Sequence, residues 1–420
     1  MGLGQVRVGL PGSQSGHQLE AASATGIRGT PGQSRTEGKS AFHFTHIRLE
    51  NWRNFVEIDL PLQGRVFLVG PNASGKSNFL DVFRFLRDIV SVGGGFQAAV
   101  QLRGGVSSLR SLAARRYSDV SVTVQVGSHS NPAQWEYELR FSQDTRRRPI
   151  IKMERVAKSE KSLWTRPNQD DQNDPERLTQ TYLEQVTANR EFRELVEFFA
   201  SIRYLHLVPQ LVKDPGRVIG KKSHPFGSDF LEQVARTPTN TRKARLRRIR
   251  EALRVAVPQM EELEQFRDVR GVPHLRGKYQ TWRSKGAWQT EEEFSDGTLR
   301  LMGLLWALQD GSGPLLLEEP ELSLHPEVVR YIPALFSRVQ MRKGRQVLAS
   351  THSPELLSGD GIGLDEVLLL IPKKEGTIIK TADQIGQVRE LLAGGSSLAE
   401  LVIPETRPRD ARQLSVFDFE

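Results

Sequence analysis

Between residues 42 and 157 several stretches carry the apolar and polar patterns of short strands. Residues 42–50, 55–60 and 65–69 read as short strands, the last of them apolar from Val66 to Val69. The stretch DVSVTVQVG, 119–127, alternates valine with polar residues and ends on Gly127, which predicts a half-buried antiparallel strand. QWEYELRFS (134–142) and PIIKMERVA (149–157) look like its neighbours, so a small meander is expected. Between these stretches the period changes. Phe79, Val82, Phe83 and Leu86 predict a helix to about Ile89, and SVGGG (91–95) breaks it.

Beyond residue 160 the pattern predicts a polar loop at 165–177, a helix at 178–200 and a strand at IRYLHLV, 202–208. Residues 240–257 form an amphipathic helix with Leu246, Ile249, Leu253 and Val257 on one face. Arg245, Arg247, Arg248 and Arg250 sit largely off that face. The last third predicts a helix from Ser295, its cap, through Leu308. A buried strand PLLLEE (314–319), a helix PEVVRYIPALFSRVQ (326–340) and a second buried strand RQVLAST (345–351) follow. EVLLLIP and TIIKTA, 366–382, read as a closing hairpin. Near-continuous apolar strands alternating with helices imply a parallel sheet covered on both faces. Residues 1–40, rich in Gly, Ser, Gln and Thr without periodicity, read as a disordered extension.

Composition narrows the function. The chain has 420 residues, 38% of them apolar and 26% charged, as expected of a globular protein with one large domain or two ordinary ones. It has no run of about 18 apolar residues and no charged start followed by an apolar core, so neither a membrane span nor a secretion signal is expected. With no cysteine, disulfides, thiolate metal sites and thiol catalysis are excluded, in keeping with a cytoplasmic protein. A net charge of +8 suits contact with nucleic acid, though many basic proteins bind no particular anion.

Four stretches carry chemistry. In LVGPNASGKSNFLD, 68–81, Gly70, Gly75, Lys76 and Ser77 complete the pattern G-x-x-x-x-G-K-[ST] between a strand and a helix. Loop N–H groups and the helix N-terminus there suit phosphates. Lys76 would reach the β- and γ-phosphates, and Ser77 would ligate Mg²⁺. In PLLLEEPELSLHP, Glu318 and Glu319 end a buried strand, and adjacent strand side chains point to opposite sides, so the two can have different jobs. Glu318 would take the Mg²⁺ role and Glu319 would polarise the attacking water. His352, in QVLASTHSPELL, ends another buried strand at the edge where such sheets bind ligands, and gains weight only from the other sites. Ser295, Asp296 and Gly297 open a helix, a second anion site suited to a partner chain's nucleotide.

The order GPNASGKSN, FSDGTLR, LLLEEPE, ASTHSPE resembles the ABC-type ATPases of the SMC, RecF and OLD group, and among them the short bacterial ATPases. IRLENWRNF resembles their opening strand, with Arg53 and Asn54 matching a motif near the nucleotide. The likeness covers most of residues 42–372. It implies an α/β P-loop ABC-type ATPase head with a mixed sheet, an N-terminal antiparallel β portion and a helical and β insertion. The expected divisions are a first lobe at 41–160, the insertion at 161–287 and a second lobe at 288–420. The resemblance further implies a head-to-head dimer with ATP between the glycine loop of one copy and the signature of the other. Gly70, Asn72, Ala73, Ser74, Gly75, Lys76, Ser77 and Asn78, with Arg53, Asn54, Ser295, Asp296 and Gly297, would bind the nucleotide. Lys76, Glu319 and His352 would be catalytic, and Ser77 and Glu318 would hold the metal. The signature reads Ser-Asp-Gly rather than Ser-Gly-Gly, and Glu318 stands where many relatives have Asp. A glutamine of the Q-loop should follow the first helix; Gln97 and Gln101 both qualify.

About 220 residues separate Ser77 from Ser295 without the heptads an SMC-type arm needs, so a compact head is expected. Full-length OLD proteins carry a Toprim nuclease after the ATPase, whereas 68 residues follow His352 here, so any nuclease is expected on a separate chain. Three readings follow. The first is an ATP-driven switch controlling DNA binding or a separate effector, such as a nuclease in phage defence. The second is a RecF-like repair or recombination clamp, with Arg245, Arg247, Arg248, Arg250 and Arg254 on DNA phosphates, although that helix face reads equally well as a solvated one. The third and weakest is a transporter nucleotide-binding subunit.

Overall fold

The structure, a computed structural model, describes residues 42–114, 119–214, 226–281 and 286–407. The expected extension at 1–40 lies outside them. In chain order the described strands are β1 (His43–Trp52), β2 (Phe55–Pro61), β3 (Arg65–Val69), β4 (Val120–Gly127), β5 (Trp135–Gln143), β6 (Pro149–Lys158), β7 (Lys161–Arg166), β8 (Arg203–Leu205), β9 (Met260–Arg267), β10 (Pro273–Tyr279), β11 (Ala287–Thr290), β12 (Leu315–Glu318), β13 (Val347–Thr351), β14 (Val367–Lys373) and β15 (Gly376–Thr381).

The central sheet runs β15-β14-β3-β13-β12-β8. Its pairs are parallel except β14 with β15, the closing hairpin. Its apolar strands feed two cores, as strand alternation requires. Val66, Leu68, Leu316 and Leu348 face one core, and Phe67, Val69, Leu315, Leu317, Val347 and Ala349 face the other. The register sets Leu68, Ser350 and Glu318 side by side at the carboxyl ends of β3, β13 and β12. That edge is where open α/β sheets bind ligands.

A second, antiparallel sheet runs β2-β1-β4-β5-β6-β7. The helix Lys76–Val90 shares one core with both sheets through Phe79, Val82, Phe83, Phe85, Leu86 and Ile89, all fully buried. Rings interlock there, with Phe44 to Phe83 at 4.7 Å and Trp52 to Phe85 at 5.3 Å between centroids. Each such side chain contributes about 1.5–3 kcal/mol by burial, so the helix after the glycine loop is anchored along its length. The strand β4 lies between β1 and β5, and Val120, Ser121, Val122, Val124 and Val126 are all buried. It is buried beyond the half expected from its alternation.

A third sheet, β11-β10-β9, gives the expected insertion β structure, although its strands were not predicted individually. It packs with the helix Thr239–Ala256 through Leu246, Ile249, Leu253, Met260, Leu263 and Leu275 onto the helix Asp296–Gln309. Sheet membership cuts across the expected division at 160, because β7 completes the antiparallel sheet and β8 edges the central one.

Two helices differ from expectation. Over 178–200 only Arg193–Ala200 is α-helical, preceded by a 3-10 turn at Ala188–Phe192. Carboxylates satisfy the backbone instead. Glu154 accepts from Tyr182 N at 2.9 Å, and Glu184 from Thr181 N at 2.6 Å and Phe96 N at 3.1 Å. Side-chain acceptors of this kind compete with a helical ladder. The helix expected at 326–340 is split into Pro326–Val329 and Ile332–Lys343, with Pro333, which lacks an N–H, in the first turn of the second.

Candidate nucleotide and metal site

The glycine loop leaves β3 at Val69 and enters its helix at Lys76. Gly75 has φ 100°, and a Cβ there would lie 2.2 Å from Asn54 Nδ2. Only glycine accommodates both conditions. Asn54 braces the loop from behind. Its Nδ2 donates to Ser74 O at 2.9 Å and Thr377 Oγ1 at 2.8 Å, and its Oδ1 accepts from Asn78 Nδ2 at 2.7 Å. Arg53 points into the same helix, 3.2 Å from Asp81, a carboxylate that Arg103 also grips at 2.9 Å. Both residues of the Arg-Asn pair therefore support the loop and its helix.

Asn72, Ala73 and Ser77 are exposed on the loop, whereas Ser74 is fully buried with an unpartnered Oγ. The helix starts without a side-chain cap. Lys76 Nζ donates to the Gly70 and Pro71 carbonyls at 2.8 and 3.2 Å. Burial lowers its pKa, and Glu319, Glu321 and Glu318 oppose that shift. An uncapped helix start with a half-desolvated ammonium beside it fits a phosphate.

Ser77 Oγ donates to Glu318 Oε1, and the Tyr204 hydroxyl donates to Glu318 Oε2. His206 Nδ1 stands 3.9 Å from that second oxygen. A hydroxyl and a carboxylate oxygen brought together from loop and strand are the hard donors Mg²⁺ takes. No group of three or more His, Cys, Asp or Glu able to hold a metal occurs among the described residues.

Strand alternation is not what separates Glu319 from Glu318. The strand ends at Glu318, and Glu319 has φ 44°, in the left-handed region that non-glycine residues rarely enter. Its N–H is held by Ser350 O at 3.1 Å and Ser350 Oγ at 3.2 Å. His352 Nδ1 lies 3.2 Å from its carboxylate. Ala73 and Ser323 share the left-handed conformation, so strained backbone collects around this edge.

The sequence did not single out Glu321, Tyr204, His206 or Thr377. Glu321 is buried, accepts from Thr351 Oγ1 at 2.6 Å and His352 N at 3.3 Å, and has its pKa raised by that burial. It locks the end of β13 to the turn after β12.

Ser295 caps the helix Asp296–Gln309, accepting from Thr298 N at 3.1 Å, and is itself exposed. Asp296 turns to Lys213 at 2.9 Å and Gln210 at 3.0 Å, and the Lys213 hydrogen bond holds its pKa below the usual value. A Cβ on Gly297 would lie 2.4 Å from Ser323 O, so this helix start is seated on the turn that follows Glu319. Among the described residues no hydrogen bond joins Ser295–Gly297 to the glycine loop of the same chain.

Gln97 donates to the Pro149 and Thr179 carbonyls at 2.9 and 2.8 Å, a structural tie, while Gln101 is exposed. The five arginines suggested for DNA also divide. Arg245 turns inward to Asp310 at 2.7 Å and over the Trp306 ring at 5.2 Å, because its position on the helix faces the Ser295 helix. Arg250 reaches Glu261 O at 3.4 Å. Arg247, Arg248 and Arg254 are exposed. Among the described residues no helix is long and apolar enough to cross a membrane.

No curated protein matches this sequence. Solved structures of Smc heads resemble the chain. One, an Smc head bound to the C-terminal winged-helix domain of ScpA, is 12% identical and covers 81% of this chain and 97% of its own, with TM-score 0.48. Another, the SMC head domain from Thermotoga maritima, is 12% identical over 80% of this chain and 98% of its own, with TM-score 0.42. Residues 65–358, which hold the glycine loop, the Ser295 helix, the paired glutamates and His352, match the family described as "AAA domain, putative AbiEii toxin, Type IV TA system", and the chain belongs to that family of ATPase domains.

Proposed function

We propose that the protein is an Mg²⁺-dependent ATPase that works as a switch, closing head-to-head on ATP and opening on hydrolysis. One observation carries this reading: Lys76 and Ser77 of the loop meet Glu318, Glu319 and His352 from β12 and β13 at one sheet edge. Lys76 exchanges the Gly70 and Pro71 carbonyls for phosphate oxygens. Ser77 and Glu318 hold Mg²⁺, which neutralises phosphate charge when bound. Glu319 orients and polarises water, and His352 steadies the Glu319 carboxylate. The exposed Ser295, fixed to the turn after Glu319 through Gly297, is offered to the nucleotide of a second copy. Hydrolysis in one copy is thereby linked to its grip on the other.

The switch acts on DNA or on a separately encoded effector, a nuclease being one such chain, in an anti-phage setting. The family description, which names a toxin of a toxin–antitoxin system, supports a defensive context. A second reading, a DNA repair clamp, draws on the exposed Arg247, Arg248 and Arg254. The test is ATP hydrolysis with and without duplex DNA, with mass measured for Glu319→Gln plus ATP. Turnover in the variant should fall by about 10²–10⁴, with an ATP-held dimer accumulating. Unchanged turnover would overturn the role of Glu319, and a monomer with ATP bound would overturn the dimer. DNA-stimulated turnover favours a DNA-acting clamp or sensor; indifference to DNA favours a protein trigger.

A further inference from the structure

We infer that Tyr204 is a positioning residue for Glu318, fixing which oxygen of that carboxylate is presented to the metal. The inference rests on the ATPase reading above and adds a residue that lies in none of the four motifs.

Tyr204 sits on β8, the three-residue edge strand of the central sheet. In the parallel register Tyr204 lies opposite Leu316, two residues before Glu318. Side chains two apart on a strand share a face, so the phenol and the Glu318 carboxylate project to the same side. Leu316 on that face belongs to the core around the glycine-loop helix, and Tyr204 packs against it. The ring reaches forward along the sheet and its hydroxyl meets Glu318 Oε2.

The glycine-loop helix holds the ring in place. Arg84 lies over Tyr204 with its guanidinium carbon 4.2 Å from the ring centroid. Seven residues earlier, two turns back and on the same helix face, Ser77 meets Glu318 Oε1. One helix therefore secures both ends of a short chain that runs Arg84, Tyr204, Glu318, Ser77. A phenol, with an ordinary pKa of about 10, is a donor at neutral pH. His206 Nδ1, 3.9 Å from Oε2, is too distant for a direct hydrogen bond.

This arrangement divides the carboxylate. Oε2 is engaged by the phenol, and Oε1 faces Ser77, the other metal ligand. A carboxylate so oriented binds a cation without first losing rotational freedom, which is why partners of this kind are worth about 10–100-fold in metal affinity.

Tyr204→Phe keeps the ring and the Arg84 contact and removes the hydroxyl alone. In the full chain, binding of a fluorescent ATP analogue is followed as Mg²⁺ is titrated, with EDTA as the metal-free reference and Glu318→Gln as the limit of full loss. The Mg²⁺ concentration for half-maximal enhancement should rise by about 10–100-fold. Affinity in EDTA should stay at the wild-type value. An Mg²⁺ titration identical to wild type would overturn the inference and leave Tyr204 a packing residue, as would equal weakening with and without metal. If the wild type itself shows no Mg²⁺-dependent nucleotide binding, the ATPase reading falls first, and the two failures are distinguishable.

Discussion

Burial of Glu154 should make the protein less stable as pH rises toward neutrality. Glu154 is fully buried in the antiparallel sheet, and burial raises its pKa from 4.5 to about 7. Hydrogen bonds from Tyr182 N and the Tyr137 hydroxyl, and the charge of Arg166 at 3.7 Å, only partly offset that. Arg166 is divided among other partners, donating to Asp171 and to the Gln180 and Arg177 carbonyls. Between about pH 4.5 and 7 the native state keeps a proton that the unfolded chain has lost. Stability from this group is therefore full below the lower value, falls through the window and is flat above it. At about 1.4 kcal/mol per pKa step the whole effect is about 3.4 kcal/mol, of which about 2.5 kcal/mol falls between about pH 5 and about pH 8. Glu184, also raised by burial, adds a slope of the same sign, so the assay must be a difference. Urea unfolding of wild type and Glu154→Gln across that range supplies it. Gln retains an acceptor for Tyr182 N without a charge, so its advantage over wild type should grow by about 2–3 kcal/mol toward the alkaline end. Parallel stability curves for the two proteins would refute the reasoning.

Gly75→Ala should lose ATP-analogue binding, since its Cβ meets Asn54 at 2.2 Å as well as the left-handed strain of about 1–2 kcal/mol. Gly93→Ala, at φ 77° with nothing within 4 Å, should show the strain alone in a melt and keep binding. Arg245→Ala should lower the unfolding midpoint, because Asp310 loses its partner. Joint replacement of Arg247, Arg248 and Arg254 by Ala should leave the midpoint unchanged. It should flatten the slope of log affinity for duplex DNA against log salt by about 3; an unchanged slope would remove the helix from any DNA interface.

The central sheet was legible because its strands are short, continuous apolar runs between turn signals, and a run buried on both faces has few alternatives. The antiparallel meander was legible through its period of two. The third sheet was not, because β9 reads MEELEQFR, with charge at half of its positions. Arg276 with Glu264 and Lys278 with Glu262 pair across β10 and β9. A strand stabilised by cross-strand charges leaves no hydrophobic period to read. The helix expected at 178–200 failed for the complementary reason. Tyr182, Leu183, Phe192, Leu195 and Phe199 are buried, but the Tyr182 N–H goes to Glu154, outside the stretch, and the Thr181 N–H to the Glu184 side chain within it.

The same division explains the site. The groups proposed to meet phosphate, metal and water were legible because each lies in a contiguous stretch at a strand end, where loop geometry makes neighbouring residues work together. Groups that hold them come from afar. Ser77 and Glu318 are 241 positions apart, Asn54 and Thr377 are 323 apart, and Tyr204 and Glu318 are 114 apart. No spacing rule reaches across such intervals. One signal was nevertheless available in IRYLHLV, where a tyrosine sits in a strand flanked by Ile202, Leu205 and Leu207. A phenol in an apolar strand needs an acceptor, and the chain's paired carboxylates end a strand of the same sheet. Asking where that hydroxyl goes would have put Tyr204 beside Glu318 in the list of candidates, although only the strand order and register decide which carboxylate it finds.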